Sequence, residues 1–143
     1  MRKRTVLAIT VVLVIGLMAY AIYSYINYMN YLEKIVHETN RWTVIMDSKG
    51  EIIALETTSD EVWNELGDLN QNQKQSWIGG RIEEYQNSWG FRFKPDTIII
   101  AEITIEAAQA TIRDISQDLD YWMNTWGKET YVLARVTEIH EAS

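Results

Sequence analysis

An uninterrupted apolar run at residues 5–26 constrains this chain more than any other feature, because none of its 22 residues is charged. At about 1.5 Å of rise per residue, a helix of this length is about 33 Å long, which matches the hydrocarbon core of a bilayer. The residues that follow are polar enough to fold in water. The sequence therefore predicts a membrane anchor (1–26), a helical juxtamembrane connector (27–41) and an extracytoplasmic domain (42–143).

The charges beside this run predict its orientation. Arg2, Lys3 and Arg4 precede it directly, and the next basic residue after it is Lys34. Positive charge is retained on the cytoplasmic side, so we expect a single-pass membrane protein with a cytoplasmic N-terminus. A cleaved signal peptide is the alternative, because a basic start, an apolar stretch and a small-x-small triplet are also its ingredients. We favour the anchor, since the apolar character continues past that triplet; cleavage would give a secreted domain.

The charge and cysteine content exclude several functions. Three of the 13 basic residues precede the apolar run, whereas all 20 acidic residues follow it. Such an acidic domain repels phosphate, so we expect no nucleic-acid partner. The absence of cysteine excludes disulfides, thiolate metal sites and thiol nucleophiles. We expect neither a metal ion nor a cofactor.

The connector continues the helical period, because Tyr28, Leu32, Ile35 and Thr39 fall on one side of a helix. An apolar seam outside the bilayer needs a partner surface, which is either the domain itself or the same helix of a second copy. The expected partners are therefore membrane lipid through the N-terminal helix, and a protein partner or a second copy of the chain.

The pattern after residue 42 predicts an α+β domain with the order strand, strand, helix, three strands, helix, strand. Thr58 and Glu61 form a capping-box signature for the first helix, and Gly127 is placed to end the second. Gly79 and Gly80 indicate a bulge or a close backbone approach inside a strand. We expect a mostly antiparallel sheet with two helices packed on one face. The predicted elements are strands at 42–46 and 51–56, a helix at 59–73, strands within 77–85, 89–93 and 98–106, a helix ending at 127 and a strand at 130–140.

A hairpin is predicted around the only proline, at Pro95-Asp96. Closure of the chain at this turn would pair the strands on either side of it and would place Arg92 beside Ile99. One face of the hairpin is then apolar and joins the sheet to its helices. That face consists of Phe91, Phe93, Ile98 and Ile100.

A family resemblance rests on four segments, which are 77–80 (WIGG), 89–97 (WGFRFKPDT), 104–106 (TIE) and 118–122 (DLDYW). With these segments, residues 75–139 resemble a poorly characterised family of small exported prokaryotic domains. They are also similar to the amino-terminal domain of a plasma-membrane-associated slime-mould protein. The resemblance implies an extracytoplasmic accessory or binding domain, and it supplies no catalytic pattern.

Two pairs of carboxylates are candidate sites. Glu102 and Glu106 lie about 13 Å apart along a strand, beyond the roughly 5 to 9.5 Å of a glycosidase pair. We expect cross-strand ion pairs there instead, with Arg81 or Arg92. Asp118 and Asp120 form either a weak ligand corner or a solvated helix end.

Six tryptophans within 85 residues are the least ordinary feature of the domain. Large flat rings bury much apolar area and anchor interfaces. We expect three or four of them in the core. Trp89 and Trp126, each next to a glycine, are the candidates for a ligand or partner surface, together with Asp118 and Asp120.

These observations favour a membrane-tethered interaction or accessory-subunit domain without catalytic activity. A small-ligand or glycan-binding domain that uses exposed tryptophans is the alternative, and a carboxylate-based hydrolase is a remote one. The chain has no cysteine, no serine in a nucleophile-elbow context and only two histidines, far apart in sequence. Only carboxylate chemistry would therefore be open to an enzyme.

Overall fold

The computed structural model describes residues 2–35, 39–102 and 108–141, which fall into two compact units, Met1–Glu33 and Lys34–Ser143. The first unit consists of helix α1, which spans Arg2–Ile35. Its segment Arg2–Tyr28 has a mean hydropathy of 2.5 and buries none of its side chains. The helix is long and apolar enough to cross a bilayer, a property that membrane anchors share with signal sequences.

The second unit is an α+β domain, as the sequence predicts. One sheet has the strand order β2-β1-β8-β3-β6, and β4 and β5 form a small second sheet. The elements are β1 Arg41–Asp47, β2 Ile52–Leu55, α2 Asp60–Asn72, β3 Ser76–Gly80, β4 Ile82–Glu84, β5 Phe91–Phe93, β6 Ile99–Ala101, β7 Ala108–Gln109, α3 Ile112–Gln117, the π-helix Tyr121–Trp126 and β8 Thr130–Glu141.

Strand β8 organises the large sheet. Its first half, 130–134, pairs with β3, and its second half, 134–141, pairs with β1. Both pairings are antiparallel, whereas the short β7 runs parallel to the start of β8. A bulge interrupts the β1–β8 pairing after Val44, and the extra residue Thr137 donates its hydroxyl to the Val44 carbonyl at 3.2 Å. The predicted hairpin of β1 and β2 is confirmed.

One face of this sheet carries the core, and we call it the inner face. The helices α2 and α3 and the β4–β5 hairpin all place their buried side chains against it, as expected for helices on one face. Phe91 is fully buried and meets Phe93 edge-to-face, with 5.8 Å between the ring centroids. The core residues are Ile45, Ile53, Leu55, Leu66, Leu69, Ile78, Ile82, Phe91, Phe93, Ile98, Ile112, Ile115, Val132, Ala134 and Val136.

Helix α2 begins one residue later than the capping box predicts. Ser59, not Thr58, is the N-cap, and its hydroxyl accepts a hydrogen bond from the Val62 N–H. Ser59 itself is fixed because its N–H donates to the Thr57 hydroxyl at 3.1 Å. The helix ends at a left-handed residue, Gln73, close to the predicted boundary.

The predicted hairpin around Pro95-Asp96 is wrong. β5 pairs with β4, and β6 pairs with β3 in the other sheet, so Arg92 lies opposite Glu83 and not beside Ile99. The turn exists, since the Thr97 N–H donates to the Lys94 carbonyl, but it carries the chain from one sheet to the other. Its four apolar neighbours still face the core: Phe91, Phe93 and Ile98 are buried, and Ile100 packs against them.

The predicted second helix is divided. α3 ends at Gln117, and the π-helix Tyr121–Trp126 follows the break around Asp118. Gly127 ends it as predicted, with φ of 62° and its N–H bonded to the Trp122 carbonyl. The predicted close approach at Gly79 is confirmed, because a β-carbon there would lie 1.9 Å from the Thr130 carbonyl oxygen. The connector seam at Leu32 and Ile35 lies outside the described side chains.

Candidate functional site

The face of the large sheet opposite the core, which we call the outer face, is apolar but only partly buried. Paired residues of an antiparallel ladder share a face, so the pairs Val44–Ala54, Met46–Arg135 and Trp77–Leu133 define it. Its central residues are buried, while others are half-buried, and Ile99 at the edge is 42% exposed. The outer face consists of Trp42, Val44, Met46, Ile52, Ala54, Trp77, Ile99, Ala101, Tyr131, Leu133, Arg135, Glu138 and His140.

A groove of about 210 Å³ opens at one end of the outer face, and we call it the Trp77 groove. Its apolar wall is made by Trp77 and Leu133, which are cross-strand partners on β3 and β8. The remaining lining residues come from the β1–β2 turn and from the segment that leads from β7 into α3. They are Ser48, Gln109, Ala110, Thr111 and Asp114.

A single buried side chain holds the β1–β2 turn and the start of α3, which supply the polar residues of this groove. Asp47 is only 5% exposed, and its Oδ1 accepts hydrogen bonds from the N–H groups of Lys49 and Glu51, both at 3.0 Å. Its Oδ2 accepts one from the Ile112 N–H at 2.9 Å. Across the same junction the Arg113 guanidinium binds the Glu51 carboxylate. The position of Ser48 relative to Thr111 is therefore set by hydrogen bonds from inside the domain.

The carboxylate of the groove is ionised at neutral pH. Thr111 and Asp114 form a capping box, in which the Thr111 N–H donates to Asp114 Oδ2 and the Asp114 N–H donates to the Thr111 hydroxyl oxygen. These hydrogen bonds from Thr111 hold the pKa of Asp114 below its usual value, because they stabilise the charged form. The groove thus carries one negative charge.

The two tryptophans predicted for the site lie elsewhere and use their indole N–H groups within the domain. Trp89 donates to the Ile52 carbonyl at 2.7 Å and packs against the core. Trp126 donates to the Glu129 carbonyl at 3.0 Å, with the Lys128 ammonium 5.5 Å from its ring centroid. Both rings are half-buried.

The two predicted aspartates are exposed. Asp120 accepts a hydrogen bond from the Asn124 amide at 2.7 Å, and the Asp118 N–H is bonded to the Ile115 carbonyl. No hydrogen bond or ion pair in the described part of the chain joins either of them to Trp89 or Trp126. The four residues therefore remain separate surface positions and do not share a polar network.

None of the six tryptophans is fully buried, and each is half-buried. The expectation of three or four core tryptophans is therefore wrong, since the core consists of aliphatic side chains and two phenylalanines. Trp42 stacks on His140 with 3.9 Å between the rings, and Trp77 lines the groove. Sequence reasoning missed both as surface residues, although the strand alternation that buries Ile78 already turns Trp77 to the other face.

The expected ion pairs of the strand carboxylates are replaced by others. Glu102 lies 3.4 Å from Lys74, not beside Arg81 or Arg92, and Glu106 is outside the described residues. Arg81 instead faces Glu129. In the described segments, no group of three histidine, aspartate or glutamate side chains could hold a metal ion.

Arg92 is the centre of a buried ionic cluster. It is 7% exposed, and its guanidinium lies 2.6 Å from Glu83, 3.8 Å from Glu56 and 4.4 Å from the Tyr85 ring centroid. Glu56 is itself only 2% exposed. A buried charge of this kind needs its partners within the domain, so the cluster is part of the core rather than of a surface site.

The structure thus defines a small α+β domain with a groove beside its sheet, in a chain that begins with an apolar helix. The family model described as the BP-74 N-terminal domain matches residues 39–140. The match covers more than half of the chain, so the chain belongs to this family. It supports the resemblance to the amino-terminal domain of a plasma-membrane-associated protein, and it carries no information on export. No curated protein and no solved structure matches the chain.

Proposed function

We propose that the chain is a single-pass membrane-tethered interaction domain without catalytic activity, with its N-terminus in the cytoplasm and residues 42–143 outside. The apolar helix α1, with three basic residues at its start, supports the tether and its direction. The outer face is the observation that carries the interaction role.

The composition of the outer face is that of a contact surface. Aromatic residues, methionine and arginine are enriched where proteins meet, and Trp42, Trp77, Met46 and Arg135 are all on this face and none is fully buried. A contiguous apolar patch of this kind on a soluble domain marks an interaction site more often than a bare surface. The partner is a second protein or a second copy of the chain.

The polar chemistry of the described residues supports a binding role over catalysis. His140 contacts Glu138 at 3.0 Å and stacks on Trp42. In the described part of the chain, no serine or threonine hydroxyl is hydrogen-bonded to this imidazole, so a nucleophile with an adjacent base is not formed there.

Site-specific photo-cross-linking tests the interaction surface. A photoreactive phenylalanine is placed at position 99 or 135 on the outer face, and at position 65 on the exposed side of α2 as a matched control. We expect adducts after irradiation of intact cells from the first two positions only. An adduct of twice the chain mass identifies a second copy, and any other mass identifies a different protein. Equal labelling from position 65, or none from the outer face, would contradict the proposal.

Protease protection tests the topology. A protease added outside intact cells should cleave after residue 42 and leave Arg2 to Arg4 protected. Protection of the whole domain until the membrane is opened would contradict this orientation. The mass of the mature chain distinguishes an anchor from a cleaved signal, because cleavage removes the apolar segment.

Small-ligand binding is a second candidate function, favoured by the Trp77 groove. The groove combines a flat aromatic side chain with hydroxyl, amide and carboxylate groups, which is the usual make-up of a small-molecule site. The residue that supports this candidate is Trp77, not the tryptophans that the sequence suggests.

A further inference from the structure

We propose that the Trp77 groove binds one uncharged saccharide ring, an inference that rests on the second candidate function above and specifies its ligand. The groove has an apolar wall on one side and a polar set of side chains on the other. A pyranose ring has the same division, with an apolar C–H face and hydroxyl groups around its edge.

The apolar wall is formed by two half-buried side chains on adjacent strands, Trp77 and Leu133. An indole is flat, and its face carries partial negative charge, so it attracts the weakly positive C–H groups of a sugar face laid against it. Leu133 extends the apolar area beyond the indole. Both residues belong to the central part of the sheet, so the wall is rigid before a ligand arrives.

The polar side chains can both donate and accept hydrogen bonds, as a ring with several neighbouring hydroxyls requires. The Gln109 amide and the Ser48 hydroxyl do both, and each is exposed. The Thr111 oxygen accepts from the Asp114 N–H, which leaves its own hydrogen for a ligand. Asp114 uses Oδ2 for the capping box, and Oδ1 makes no hydrogen bond to another described residue.

Charge and size exclude other ligand classes. No lysine or arginine lines the groove, so a phosphate or a carboxylate would meet Asp114 without a compensating cation. A quaternary ammonium ion is best held by several aromatic rings, and this groove offers one indole. Its volume of about 210 Å³ is below the roughly 300 to 1,000 Å³ of sites for drug-sized molecules, which limits the ligand to a single ring.

A titration of the purified full-length chain tests the proposal. The probes are glucose, galactose, mannose and N-acetylglucosamine, and the detergent must have no sugar head group. We expect saturable quenching of tryptophan fluorescence by at least one probe, with a Kd of about 1 to 10 mM, the weak range expected of so small a site. The methyl glycoside of that sugar distinguishes the source: equal binding indicates a ring at the end of a glycan, and loss of binding indicates a free sugar.

Three variants assign the binding to this groove. Trp77→Leu keeps the apolar volume but removes the flat ring, and it should weaken binding at least about tenfold. Gln109→Ala should weaken it about three- to tenfold, the usual loss for one hydrogen bond. Trp126→Leu is the matched control and should bind as the parent does. A thermal melt of each variant establishes that it is folded.

Several results would overturn the proposal. They are the absence of saturable binding for all four sugars, unchanged affinity in a folded Trp77→Leu variant, or tighter binding of tetramethylammonium than of any sugar. The titration uses purified protein without a partner, so its failure leaves the cross-linking result on the outer face intact. Failure of the cross-linking test likewise leaves a positive sugar titration standing.

Discussion

The Oδ2 atom of Asp47 accepts a hydrogen bond from the backbone N–H of Ile112 at 2.9 Å, although 65 residues separate the two in sequence. The other carboxylate oxygen accepts from Lys49 and Glu51 in the β1–β2 turn. One buried side chain therefore holds together two segments that both contribute to the Trp77 groove. Its contribution to stability and its effect on the groove can be measured in the same variant.

We expect Asp47→Ala to lower the free energy of unfolding by about 1.5 to 3 kcal/mol, because it leaves three backbone N–H groups without their acceptor. Asp47→Asn keeps one acceptor oxygen and should lose less. Denaturant unfolding of the full chain, followed by tryptophan fluorescence, measures both values; all six tryptophans follow residue 41, so α1 is silent. An Asp47→Ala variant within about 0.5 kcal/mol of the parent would contradict this role.

Two glycine-to-alanine substitutions should have opposite effects. At Gly79 a β-carbon would lie 1.9 Å from the Thr130 carbonyl oxygen, so Gly79→Ala must separate β3 from β8 and should prevent folding or destabilise the domain severely. At Gly67, within α2, a β-carbon meets nothing within 4 Å. Gly67→Ala should raise the stability by about 0.5 to 1 kcal/mol, the difference in helix propensity. Thermal melts compare them, and a Gly79→Ala protein as stable as the parent would refute the close packing.

The elements that sequence could predict are those with local signals. The turn tetrad before Glu51, the glycine at position 127 and the helical spacing of Leu66 and Leu69 each depend on residues close in the chain, and the structure has all three features. The pairing of β5 has no such signal. A turn at Pro95 is compatible with two strands of one hairpin or with strands of two sheets, and only the packing of the whole domain selects the second arrangement.

The groove could not be predicted for the same reason. Its residues come from four separate parts of the chain, and Ser48 and Leu133 are 85 positions apart. Sequence reasoning selected tryptophans by their neighbouring glycines, whereas the position of an indole depends on the face of the strand that carries it. Trp77 alternates with the buried Ile78, which was the only local indication of its outward position.

The buried ionic cluster gives the next expectation. Arg92→Met should destabilise the domain by about 3 to 5 kcal/mol, because it removes the positive charge next to the buried Glu56. Arg81→Met is the matched control, since Arg81 is more than half exposed and lies 3.8 Å from Glu129, and a surface pair contributes at most about 1 kcal/mol. Denaturant unfolding measures the difference. Equal losses in the two variants would show that burial of the cluster does not determine its contribution.

The capping box of α3 should make stability depend on pH in the acid range. The hydrogen bonds from Thr111 lower the pKa of Asp114 in the folded state from its usual 3.8. The contribution of the ionised carboxylate is therefore fully present above that value and is lost as the pH falls through the lowered pKa. We expect the parent to be more stable than Asp114→Asn at about pH 7 and the difference to shrink below about pH 3. A difference that does not change with pH would assign the effect to shape alone.

The two core phenylalanines and a surface tryptophan allow the assignment of core and surface to be tested directly. Phe91 is fully buried and Phe93 is 2% exposed, and truncation of such a ring to alanine costs about 3 to 5 kcal/mol once the cavity is counted. That is a large part of the roughly 5 to 15 kcal/mol that stabilises a domain. Phe91→Ala and Phe93→Ala should therefore unfold the second unit or lower its melting temperature strongly.

Trp126→Ala should have a much smaller effect, although the ring removed is larger. The indole is half-buried, and it loses one hydrogen bond to the Glu129 carbonyl, which is worth about 1 kcal/mol. The comparison is one thermal melt of the three full-length variants in the same detergent, read by near-ultraviolet circular dichroism. If Trp126→Ala melts far below the parent while both phenylalanine variants stay within a few degrees of it, then the β5 residues are not the core. In that case the β4–β5 hairpin, rather than the outer face, would be the surface to examine for a partner.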